Sequence, residues 1–527
     1  MVCNAELRRL SVPRGFLIAA AFLITLSIYP LSLQVVQATA TAESKSQVKT
    51  SEQQIPVPVT SKTSVTTHQV TIGGKQLPYT ATAGYLPIVN DAGETEAEIF
   101  SVTYSAAGPQ GGKRRPLLFI FNGGPGAASV WLHLGALGPR RVEMLPDGNM
   151  PAPPFRLVDN AQSWLDLADL VFVDPVGTGY SRATRPELTK NFTTVRGDID
   201  SLIRFIRLYL TRNERWSSPL FLVGESYGTF RSAGLSEHLY EHGIALNGII
   251  LVSSILNLQT TSFDNGNDLP YQLFLPSYTA TAWYHKKLAP ELQENLERTV
   301  AEAETWAATD YQLALNKGDR LSTEERRATV AKLARFTGLS PAFVDDRNLR
   351  IDSRVFVREL LRARGRVVGF MDSRFNSANL EPLAPSGFDP TVSTIRPPFT
   401  ATVNAYLREE LGFQSDLEYF TLGGGIGHWD WDAKNGYADT SDNLRNSFAK
   451  NPYQKVFVAS GYFDLATPHF ATEYTLAHLG LTPALRKNIT THYYRAGHMM
   501  YLDQESLTQL KRDVAEFVTK TLKEQRH

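Results

Sequence analysis

The sequence predicts an α/β fold, a mainly parallel sheet flanked by helices and interrupted by a helical insertion. Continuous apolar runs, PLLFIF at 116–121, Leu170 to Val173, PLFLV at 219–223, GIILV at 248–252 and VFVA at 456–459, read as strands covered on both faces. Between the second and third runs, Val195, Ile199, Leu202, Ile203, Ile206 and Leu210 recur at helical spacing, so strand and helix alternate. From about residue 270 to 422 the pattern changes to charged helical segments before the strand signal returns.

The N-terminus reads as an address. Arg8, Arg9 and Arg14 precede an apolar run from Phe16 to Ile28, and Ala38-Thr39-Ala40 offers a cleavage site, so residues 1–40 are expected to be a signal peptide. Export to a periplasmic or secreted location follows. The apolar character continues past Pro30 to Val36, so a retained N-terminal membrane anchor is the competing reading. Residues 41–67, rich in Ser, Thr, Gln, Val and Lys without a period, read as a flexible linker. The single cysteine, Cys3, lies in the leader, so disulfides and thiol chemistry are excluded from the expected mature chain. Lys plus Arg equals Asp plus Glu at 53 each, so no global field draws nucleic acid or an anionic membrane.

The folded part is expected in three stretches. Residues 68–269 form a first core segment, opening with alternating apolar and polar positions from His68 to Tyr104 that read as antiparallel edge strands. Residues 270–422 form a helical cap, with helix starts at Pro290-Glu291, Ser322-Thr323-Glu324-Glu325 and Ser340-Pro341-Ala342. Residues 423–527 return to the core, with a strand at His492-Tyr493-Tyr494 and a last helix carrying Leu507, Leu510, Val514, Phe517 and Val518 on one face.

Ligands of parallel α/β sheets gather at the carboxyl ends of the strands. There the run PLFLV enters Gly224-Glu225-Ser226-Tyr227-Gly228 and passes straight into helical sequence, the strand, sharp turn and helix of a nucleophilic serine. A serine hydroxyl needs a base and an orienting acid. Asp464 follows VFVA and His498 follows the strand near Tyr494, in the chain order serine, acid, histidine. Backbone N–H groups of Gly124 and Tyr227 are candidates to hold the developing oxyanion. Asp174, which precedes the serine, fits this order badly and is read as fixing its own turn.

Together FNGGPGAAS (121–129), DPVGTGYS (174–181), GESYG, the Asp of SGYFD and the His of AGHM resemble the serine carboxypeptidase family of α/β-hydrolases, and the lack of mature cysteines suits a bacterial-type member. The resemblance implies Ser226 as nucleophile, His498 as base, Asp464 as orienting acid, no cofactor, and peptide substrates with a free C-terminus. It further implies that Asn122, the Gly123 N–H and Glu225 hold the substrate carboxylate, with Met499 a pocket wall. Glu225 can donate only when protonated, so peptidase activity is expected to fall from about pH 5 to pH 8, and ester hydrolysis less. Two positions depart from the family pattern: Ile120 where many members have Trp, and Ala136 where they have a second Glu. An esterase or acyltransferase on the same fold is the alternative. A metal-dependent rival rests on His238-Leu239-Tyr240-Glu241-His242, which matches a zinc-peptidase pattern.

Overall fold

The computed structural model describes residues 63–107, 114–379 and 389–525. The expected signal peptide lies outside them, as does the expected linker up to residue 62. Residues 63–67 do not belong to a linker: strand β1 (Thr63–Ile72) already begins there, pairing from Thr63↔Gly84 with β2 (Lys75–Val89). Its threonines and valines suit a pleated edge, and ladder pairing outweighs the polar composition.

The main sheet has ten strands. After β2 come β3 (Thr95–Ala106), β4 (Leu117–Phe121), β5 (Asp169–Val173), β6 (Leu220–Ser226), β7 (Gly248–Ser254), β8 (Lys455–Gly461) and β9 (Ile489–Tyr494). Their spatial order is β1-β2-β3-β5-β4-β6-β7-β8-β9, with the two-residue strand Arg182–Ala183 pairing β3 off that path. The first three strands run antiparallel. From β5 to β9 every pairing is parallel.

Alternation along β4 divides the core. Leu118 and Ile120 face a cluster closed by Leu507, Leu510, Val514 and Phe517 of the last helix, Gln504–Glu524. Phe119 and Phe121 face the opposite cluster, where helix α1 (Val195–Arg212) supplies Ile199, Leu202 and Ile206. Each such side chain fully removed from water contributes about 1.5–3 kcal/mol, which pins the strand ends where they carry polar loops.

Between β7 and β8 the chain is largely helical, including Leu269–Tyr284, Leu296–Trp306, Thr323–Thr337 and Pro390–Ala405. Thr323–Thr337 starts with a reciprocal capping box between Ser322 and Glu325 and ends on a left-handed Gly338. A separate apolar cluster built on Phe274, Tyr278, Trp306, Phe336 and Phe356 consolidates these helices. No helix among the described residues is long and apolar enough to cross a membrane.

Candidate active site

Strand β6 delivers Ser226 at its last position, and helix α2 (Tyr227–Glu241) begins at the next residue. The turn is tight enough to hold Ser226 at φ 57°, a conformation unfavourable for a side-chain-bearing residue. Small neighbours make it feasible: a Cβ on Gly224 would lie 2.1 Å from the Gly228 carbonyl, and one on Gly228 would lie 2.6 Å from the Phe121 carbonyl. Phe121 pairs with Gly224 across the sheet, so the Asn122-Gly123-Gly124 loop meets the turn directly. A Cβ on Gly123 would stand 2.5 Å from the Tyr227 nitrogen and 2.8 Å from Ser226 Cβ.

Asp464 and His498 follow the ends of the parallel neighbours β8 and β9. Asp464 is fully buried. Its Oδ1 accepts the N–H groups of Ala466 (2.8 Å) and Thr467 (2.9 Å), and its Oδ2 accepts the Thr467 hydroxyl (2.7 Å) and His498 Nδ1 (2.8 Å). Nδ1 is thereby the protonated nitrogen, and Nε2 is left for the cavity that both His498 and Ser226 line. Burial opposes the imidazolium, but the charge and hydrogen bond of Asp464, with Glu225 nearby, outweigh it and hold the His498 pKa above its ordinary value.

The cavity has a volume of about 330 Å³. Asn122, Gly123, Gly124, Glu225, Ser226, His498 and Met499 all border it, whereas Asp464 stands behind His498, bonded to its Nδ1, and Tyr227 does not line it. Tyr227 adjoins it through its backbone nitrogen, beside Gly123. Trp131, Met371, Val392, Ile395 and Leu422 make much of the remaining wall apolar, and buried Asp389 adds a further carboxyl whose pKa burial raises. Burial raises the Glu225 pKa to about 7, against the pull of His498, a hydrogen bond from Tyr501 and the Asn122 amide.

Several supporting residues carry no sequence signal. The His498 N–H donates to the Met371 carbonyl (2.7 Å), its carbonyl accepts the Ser253 hydroxyl (2.6 Å), and the Gly497 N–H donates to Asp372 (3.1 Å). Buried Asp372 in turn pairs with the largely enclosed Arg374, which also reaches Asp503. Behind the turn, Arg231 donates to Asp198 (2.8 Å) and to the Asn122 carbonyl (2.6 Å) in a fully buried ion pair. Apart from the Asp372–Arg374 pair, these contacts join positions tens to hundreds of residues apart, which no local pattern encodes. Asp174 does more than fix its own turn: its Oδ1 accepts both the N–H and the hydroxyl of Ser129, each at 2.8 Å, bracing the first glycine loop against the second. The loop 423–431 lies over both. Ile426 occupies the space above Gly126 and Gly177, and Trp429 and Trp431 meet the Tyr227 ring edge-on at 5.3 and 5.7 Å.

The zinc-peptidase pattern does not assemble a centre. His238 is half-exposed with Nδ1 on Glu241 (3.1 Å), His242 donates Nδ1–H to the His238 carbonyl (2.8 Å), and Glu241 also binds Lys450. Among the described residues the histidine and acidic groups whose ligand atoms converge are Glu304, His469 and Glu473 instead, well removed from that motif in sequence.

A family model described as serine carboxypeptidase matches residues 73–511. Over 180 residues the chain is 26% identical to serine carboxypeptidase S10 family member 1 of Dictyostelium discoideum, covering 34% of this chain and 38% of that protein. Over 150 residues it is 30% identical to the retinoid-inducible serine carboxypeptidase of Mus musculus, covering 28% and 30%. These alignments span about a third of the relatives' length. Among solved structures, Kex1, a prohormone-processing carboxypeptidase from Saccharomyces cerevisiae, shares the fold with a TM-score of 0.51 at 16% identity, covering 84% of this chain and 91% of that one.

Proposed function

The chain belongs to the serine carboxypeptidase family, and from that premise we propose that it releases C-terminal residues from peptides through an acyl-enzyme on Ser226. The Ser226 hydroxyl attacks the carbonyl carbon of the last peptide bond while His498 Nε2 takes its proton, and Asp464 holds the imidazole and balances its charge. The N–H groups of Gly124 and Tyr227 receive the oxyanion. The C–N bond then breaks as His498 returns the proton to the leaving amine, and water repeats the sequence to free the shortened peptide. Asn122, the Gly123 N–H and Glu225 hold the terminal carboxylate, and Met499 walls the pocket. Residues 270–422 act as a cap that contributes Met371, Val392 and Ile395 to the cavity.

One observation carries this reading: Glu225 is a buried carboxyl in the wall of the cavity that Ser226 lines, with its pKa raised to about 7. Below that pH it is neutral and can donate to an anion; above it, it repels one. Comparing a blocked dipeptide with its C-terminal amide tests the reading. A carboxypeptidase turns over the free acid faster at pH 5, and Ser226→Ala abolishes both activities. Equal turnover of acid and amide would instead support the esterase or acyltransferase alternative. Residues 1–40 are proposed to direct export, which N-terminal sequencing of the mature protein checks by a start near Thr41.

A further inference from the structure

We propose that Tyr501 sets the hydrogen-bond direction of the carboxylate site: as a positioning residue it keeps Glu225 Oε2 an acceptor, so that the Glu225 proton sits on Oε1 and faces the substrate. The inference rests on the carboxypeptidase reading and deepens it.

The direction is fixed from a group that can only donate. The backbone N–H of Leu132 donates to Asn122 Oδ1 (2.9 Å), which turns the Asn122 NH2 toward its other neighbours. Those neighbours are Glu225 and Tyr501, whose ionised forms the Asn122 amide favours. Placed between an amide donor and a carboxyl, the Tyr501 hydroxyl accepts from the first and donates to the second, and it lies 2.6 Å from Glu225 Oε2. Burial, reinforced by the adjacent Glu225, raises the phenol pKa well above its ordinary value, so Tyr501 keeps its proton across the working range. Gly135 leaves room for the ring: a Cβ there would stand 2.6 Å from Tyr501 Cε2. The titratable groups that influence Glu225 are His498, Tyr501 and Asp464, with Asn122 the neutral amide beside them. Of these, Tyr501 alone pairs a fixed proton with direct contact to Oε2.

Removing the hydroxyl takes one donor from the carboxylate and lets either oxygen carry the proton. Tyr501→Phe is therefore expected to raise KM for a free-acid peptide about tenfold at pH 5 while kcat changes less than about twofold. The falling limb of kcat/KM should move upward by about half to one pH unit, because a donor that stabilised the ionised form is gone. An infrared titration of the Glu225 carboxyl, identified by its loss in Glu225→Gln, should show the same upward move. In the wild type, a ¹³Cζ-tyrosine resonance should shift at the Glu225 midpoint without reaching the phenolate position below about pH 10. An unchanged infrared midpoint in Tyr501→Phe, or no tyrosine resonance following Glu225, overturns the proposal. If the wild type does not prefer the free acid over the amide, the activity reading fails, while the two spectroscopic titrations still decide whether Tyr501 and Glu225 are coupled.

Discussion

On the proposed reading, the chemistry of a single carboxyl at Glu225 sets a pH limit on the whole reaction. Its raised pKa means the donor form is complete at pH 5 and lost as pH rises through about 7. Glu225→Gln supplies a donor that does not titrate, so KM for a free-acid peptide should stay level between about pH 5 and 8 where the wild type rises; steady-state kinetics across that range checks it. Gly123 makes a second, steric prediction. Because a methyl there would stand 2.5 Å from the Tyr227 nitrogen, Gly123→Ala should lower kcat by about 100-fold or more through displacement of an oxyanion donor. Serine burst titration separates this from loss of folded protein. The positions proposed for the triad could be picked from the sequence because each lies at or after the end of a strand run, where a parallel sheet gathers its loop side chains. Tyr501 was not legible, since nothing in the spacing from residue 225 to 501 announces a contact made only when a strand end and a distant helical turn meet.

Among the elements, the segment around Asp372 has an effect out of proportion to its length. It accepts the Gly497 N–H, pairs with Arg374, and presents the Met371 carbonyl to the His498 N–H. Truncating Asp372 to Ala leaves the largely enclosed Arg374 with Asp503 as its remaining carboxylate, at an expected loss of about 3 kcal/mol in stability, measurable by calorimetry. Activity should fall with it, as the imidazole loses its brace. Strands buried on both faces were readable from apolar runs, and α1 from its 3.6-residue period. Other elements defeat local rules. Leu269–Tyr284 contains Pro276, and Pro390–Ala405 contains Pro397 and Pro398, so tertiary packing sustains helices that a breaker signal would end.

For the molecule as a whole, the cavity draws on residues from 122 to 499. Its wall is completed by the stretch between β7 and β8, so the helical insertion and the sheet are both needed for one pocket. The histidines of the His238-to-His242 pattern are engaged within their own helix end, and turnover should be indifferent to EDTA while a fluorophosphonate labels Ser226 and abolishes it. Activity lost to chelator alone would reverse that assignment. Fold class was readable at this scale because alternation of strand and helix permits few architectures, whereas the side chains facing substrate depend on how far apart loops close.

The seat that Gly126 and Gly177 form for Ile426 joins stretches that leave the ribosome at different times. The two glycine loops and Ser226 are made before Ile426, the residue that covers those loops, and His498 follows later still. On the proposed reading, the parts needed for catalysis are therefore complete only near the end of the polypeptide, once His498 has been added.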